Sequence, residues 1–146
     1  MSSNFVEPQE FFRLLHDDIE FCSSLGRVML TAGMLETNLR RYLDTKAVKF
    51  TRKDTLGALV NKLKQANLLT ENGKAHFSDL TKKRNYLAHN LYGLFSKELE
   101  ATILPRVQLV SVDTALFIEK AESLAEDFVF FANLVAKADK FEDKLL

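Results

Sequence analysis

Between Asp18 and Leu43, apolar residues recur every three or four positions: Cys22, Leu25, Met29, Ala32, Leu35, Leu39 and Leu43. That is the period of an amphipathic helix, here about seven turns long. Gly26 and Gly33 lower helix propensity inside it but allow a neighbouring helix to come close. A helix of about 39 Å needs long partners, and the rest of the chain keeps the same period. Only 5 Gly and 2 Pro punctuate 146 residues, and 47% of the chain is apolar. Such a composition supports a packed helical core rather than a disordered segment. The expected fold class is all-α, a bundle of four to five helices. The length points to a single domain spanning 1–146.

The other helices are placed by caps and breakers. Pro8 fits the first turn of a short helix carrying Phe11, Phe12, Leu14 and Leu15. After a basic connector, 47–53, Asp54 is positioned to cap a third helix with Leu56, Leu59, Val60 and Leu63. The stretch 67–73 has turn composition. Thr70 is positioned to cap a fourth helix that reaches Tyr92, with Gly93 as its stop. Pro105 interrupts 94–110, where 106–110 alternates weakly and fits a short extended stretch. Ser111 or Asp113 then caps a last long helix, striped by Ala121, Leu124, Ala125, Phe128, Ala132 and Val135. Phe117, Phe130 and Phe131 lie on its other side, which calls for burial by the core and by a partner chain. The charged tail, about 137–146, is expected to fray.

A single cysteine, Cys22, excludes an intrachain disulfide and fits a reducing cytoplasm. Its spacing from Leu25 and Met29 places it in the core. No apolar run reaches membrane-spanning length and no signal-peptide pattern opens the chain, so no membrane association is expected. The net charge of zero conceals an uneven distribution. Residues 40–84 hold twelve Lys/Arg against four Asp/Glu, a balance of +8, and each flank is −4. This is the footprint of a polyanion binder or, equally, a solvated helical surface.

The basic segment ends in Lys82-Lys83-Arg84-Asn85-Tyr86-Leu87-Ala88-His89. On a helix, Asn85 and His89 are stacked neighbours, and Tyr92 continues their stripe. Arg84 lies instead on the apolar line Phe77–Leu80–Arg84–Leu87–Leu91, where a guanidinium needs a partner. Glu36, in line with Ala32, Leu39 and Leu43, can supply one and tie two helices together. A fixed cation, an amide and an imidazole are the parts for holding a phosphate and moving a proton beside it. The plainer alternatives are a locally bonded core histidine, a structural ion pair and an exposed amide. His16, His76 and His89 are too scattered for a metal site, and no glycine loop cradles a phosphate. Neither metal nor cofactor is expected.

Arg84, Asn85 and His89, in the order Arg-Asn-x-x-x-His, resemble the HEPN domain (higher eukaryotes and prokaryotes nucleotide-binding). Its ribonuclease members carry Arg-x(4–6)-His, usually with a polar residue after the arginine. The motif covers six residues, and a looser likeness runs from Leu35 to Tyr92 through Thr55-Leu56-Gly57-Ala58-Leu59-Val60. The resemblance implies a HEPN-like homodimer whose two motifs meet across a cleft, acting as a metal-independent endoribonuclease. The ribose 2′-hydroxyl would attack the adjacent phosphate and leave a 2′,3′-cyclic phosphate. In that scheme Arg84 steadies the phosphate, His89 is general acid or base and Asn85 positions it. Lys82, Lys83 and the other basic residues track the RNA backbone. Such proteins are often toxins or anti-phage effectors restrained by an antitoxin. In the HepT-like branch, a partner nucleotidyltransferase modifies the tyrosine of His-x-Tyr. Here Tyr92 follows His89 one residue later, which turns its hydroxyl by about 100° on a helix, and a packing role competes with a site role. The alternatives are a non-catalytic HEPN module that binds a nucleotide or a partner protein, and a helical interaction protein.

Overall fold

A computed structural model describes residues 7–103, 113–138 and 144–146. Among these the fold is all-α, in seven segments: α1 (Pro8–His16), α2 (Ile19–Thr45), α3 (Leu56–Gln65), α4 (Glu71–His89), α5 (Leu91–Leu94), α6 (Ser96–Ile103) and α7 (Thr114–Lys137). The extended stretch expected at 106–110 and the cap expected at Ser111 lie outside the described residues. No described helix is long and apolar enough to cross a membrane.

Of the segments beyond the expected helices, α6 lies in the stretch 94–110 and α5 comes from a break after His89. The fourth helix does not continue to Tyr92. Asn90 leaves helical geometry at φ −154°, ψ 68°. Its N–H still donates to the Tyr86 carbonyl at 2.8 Å, while its side chain accepts from the Gly93 N–H at 3.0 Å. One residue thus closes α4 and caps α5, because an asparagine side chain competes with the backbone for its own turn. Gly93 is not the stop but the recipient of that cap.

Asp18 caps α2, accepting from the Phe21 N–H at 2.8 Å, and Thr70 caps α4 as expected. Asp54 does not cap α3. Thr55 holds that position, and Asp54 instead accepts from the Thr51 N–H at 2.9 Å and from Lys62 Nζ at 2.7 Å. Both α2 and α3 end in Schellman turns, with Ala47 and Asn67 at positive φ. There the Val48 and Leu68 N–H groups reach back to the Leu43 and Leu63 carbonyls.

The main packing pair is α2 against α7. The α7 stripe is buried as expected, but Phe117 and Phe131 join the same core, which leaves only Phe130 outward. On α2 the C-terminal half follows the expected line, whereas the N-terminal half buries Phe21, Ser24 and Val28 in place of Cys22, Leu25 and Met29. Cys22 is exposed, so its core assignment is overturned. At one end, Phe11, Phe21, Phe95 and Phe117 make a cluster of edge-to-face and tilted contacts that fastens α1 and the α5–α6 corner to the bundle.

The tail differs from the expectation as well. Lys137 still belongs to α7, and residues 144–146 dock on the α3–α4 connection. Leu145 is 1% exposed. Its N–H donates to the Leu68 carbonyl at 2.7 Å, and its carbonyl accepts from the Thr70 N–H at 2.9 Å. This single parallel bridge is the only β pairing among the described residues.

Candidate functional site

Late in α4, Arg84 reaches across to Glu36 in the middle of α2, the pair anticipated from the sequence. Arg84 Nε donates to Glu36 Oε1 at 3.1 Å, and the Glu36 side chain is 13% exposed. Arg40, one turn further along α2, places its Nη2 3.9 Å from Glu36 Oε2 and donates to the Asp54 carbonyl at 2.8 Å. Two guanidinium groups therefore share one carboxylate, and the local balance is +1. Through Asp54, Arg40 also ties this cluster to the end of the α2–α3 connector, whose Lys49, Arg52 and Lys53 are exposed.

Asn85 and His89 sit on a different line of α4, and both are exposed. His89 lies five positions after Arg84, about 7.5 Å along the helix axis. The helix thus offers a braced cation on its inner edge and a solvent-facing imidazole and amide on its outer one. Lys82 belongs to the outer line, at i−3 from Asn85 and i−7 from His89, with its Nζ 5.8 Å from the centre of the Tyr86 ring. Tyr86, half-buried at i−3 from His89, is a site neighbour that the sequence reasoning passed over; its spacing was the available signal. Lys83 is not on that line. Its ammonium is held by Asp79 at 2.9 Å.

Tyr92 is removed from the stripe by the break at Asn90. Its ring packs edge-to-face on Phe11, with centroids 5.4 Å apart, and burial followed by the Glu7 carboxylate pushes its phenol pKa up. The packing alternative describes its position. His76 lies against Phe131, ring centroids 5.2 Å apart. Among the described residues no cluster of His, Cys, Asp or Glu could hold a metal ion.

Two concavities flank α2. Between α2 and α4 is a slot of about 280 Å³ bounded by Met29, Gly33, Glu36, Arg84, Leu87 and Ala88. Between α2 and α7 is an open groove of about 660 Å³, with Leu30, Val129 and Phe130 among its apolar walls and Arg27, Glu122 and Glu126 among its polar ones. Leu30 is 76% exposed and Phe130 58%, a large apolar display for a protein surface.

Comparison with protein-family models, with curated proteins and with solved structures gives no match to this chain.

Proposed function

We propose that the chain is a HEPN-type, metal-independent endoribonuclease that leaves 2′,3′-cyclic phosphate ends. The observation that carries this reading is the division of labour on α4. Arg84 is fixed by Glu36, while Asn85 and His89 face solvent within two turns of it. A phosphodiester held by the guanidinium gains charge as the 2′-oxygen attacks, and a pre-aligned cation stabilises that charge without reorganising. The 2′-hydroxyl proton passes to a base, the bond from phosphorus to the 5′-oxygen breaks, and the departing oxygen takes a proton from an acid. His89 supplies one of these two roles and Asn85 orients it. Lys82 and the exposed cations of the 46–53 connector follow the RNA backbone. The HEPN-like bundle works as a homodimer, because the second proton-transfer group then comes from the second copy. Leu30, Met34 and Phe130 form the exposed apolar face that supports such pairing.

In this reading the protein is a cytoplasmic toxin or anti-phage effector, restrained by an antitoxin or a nucleotidyltransferase partner. The slot beside Arg84 favours one rival, a non-catalytic HEPN module that holds a nucleotide by its base alone. Purified protein incubated with mixed RNA in EDTA separates the two. The ribonuclease yields fragments ending in cyclic phosphate and leaves DNA whole, whereas RNA that stays intact hands the lead to the binding module.

A further inference from the structure

The slot between α2 and α4 has features that phosphate binding alone does not use. At about 280 Å³ it lies just below the ~300–1,000 Å³ of sites for drug-sized ligands, so it suits one flat ring rather than a whole nucleotide. Gly33 lines it, and a Cβ built there would meet nothing within 4 Å. Opposite are the apolar Leu87 and Ala88, with Met29 among the other walls. The polar wall is the Arg84–Glu36 pair, in which Oε1 takes the Arg84 Nε bond while Oε2 has only Arg40 Nη2 at 3.9 Å, beyond hydrogen-bond length. That leaves an acceptor of high charge at the edge of an apolar slot. The surplus of one positive charge from Arg40, Arg84 and Glu36 sits beside it.

A ligand that matches all three features has a flat apolar body, an N–H donor on its edge and one negative charge close by. A nucleotide within a single RNA strand has that form. We infer that the slot takes the base next to the phosphate held by Arg84, with Glu36 Oε2 accepting a hydrogen bond from an exocyclic amino group. Guanine, adenine and cytosine each carry that group. Uracil presents carbonyl oxygens to either side of its one N–H, and the carboxylate repels them. Bases splayed from single strands are read through hydrogen bonds of this kind on their edges. Glu36 is then a specificity-determining residue as well as the brace of Arg84, and Gly33 is the opening that admits the ring. The inference rests on the proposed RNA site but not on cleavage there.

The test uses the His89→Ala chain, which keeps RNA intact, titrated with the dinucleotides ApA, CpC and UpU and followed by amide NMR spectra. ApA and CpC are expected to bind roughly tenfold or more tighter than UpU, the ratio that one hydrogen bond to a charged group confers. The amide shifts should centre on Gly33 and Ala88. Gly33→Leu places a side chain in the open slot without a clash at Cβ, and it replaces a poor helix former. That variant should melt no lower than its parent and bind all three dinucleotides equally weakly. Equal binding of ApA, CpC and UpU by the parent overturns the slot, as does a folded Gly33→Leu variant that still discriminates. Cleavage by the unmodified chain, and by a Gly33→Leu variant that retains His89, is scored separately. Discrimination without cleavage keeps the slot and removes the nuclease; cleavage that ignores both base and Gly33→Leu does the reverse.

Discussion

Arg84 has one observed duty and one proposed one, and they make different demands. As half of an ion pair it crosslinks α2 and α4; the proposed role as a phosphate ligand requires part of its guanidinium to stay available. Its contact through Nε at 3.1 Å, with 27% of the side chain exposed, meets both. Removing it strands a largely buried Glu36 carboxylate with only Arg40 nearby. Arg84→Ala should therefore lose about 1–3 kcal/mol of stability, the usual cost of a buried polar group left without its partner. Chemical denaturation measures this, and an unchanged midpoint would mean that the pair contributes nothing. His89 makes a sharper probe, because it lies exposed at the end of α4 and its truncation disturbs little packing. The Arg84–Glu36 pair was legible from spacing alone, since a charge on an apolar helical line demands a partner on another. Tyr92 was not, because helical spacing presumes an unbroken helix, and the Asn90 side chain breaks it.

At the scale of elements, the caps and terminal contacts decide most of what sequence periodicity missed. On α2 the lines Cys22–Leu25–Met29 and Phe21–Ser24–Val28 both have helical spacing, and packing against α7 and, at Phe21, against Phe95 selects the second. Docking of residues 144–146 was invisible for a related reason: the pairing of Leu145 with Leu69 is remote in sequence. That docking depends on Gly73 in the first turn of α4, where a Cβ would run into the Leu146 carbonyl. Gly73→Ala should dislodge the segment and lower the melting temperature despite its better helix propensity, at a cost of about 1–3 kcal/mol through exposure of Leu145. A melt at or above the wild-type value would show that the segment adds no stability. Asp54, at the entry to α3, yields a pH prediction. The Lys62 side chain first, and the Thr51 N–H second, hold its carboxyl below the usual carboxylate range. A depressed pKa adds stability above the unfolded-state value and loses it as pH falls through the folded one. The melting difference between wild type and Asp54→Asn should therefore be full at neutral pH and vanish in acid below the ordinary carboxylate range. A difference that stays constant across that window would remove Asp54 from the account.

For the whole molecule, the all-α class and the course of α7 followed from composition and period, whereas the groove and slot beside α2 depend on how three helices meet. The +8 balance of residues 40–84 is partly spent in local pairs: Lys62 with Asp54, Lys74 with Glu71 and Lys83 with Asp79. Outside those pairs the exposed cations are Arg41, Lys64, Lys82 near His89, and Lys49, Arg52 and Lys53 of the connector, a smaller basic surface than the sequence count implies. The apolar face of Leu30, Met34 and Phe130 predicts self-association through a two-fold contact. Sedimentation at micromolar concentration should show a species of twice 16.7 kDa that Leu30→Glu converts to monomer; a wild-type monomer would exclude the shared site. The central claim is that His89 moves a proton during RNA cleavage. It is tested most directly by comparing wild type with His89→Ala on one RNA in EDTA, after melts show that the variant is folded. Cyclic-phosphate fragments from the wild type and intact RNA with the variant are the predicted result, and a folded His89→Ala chain that cuts RNA at the wild-type rate would contradict it.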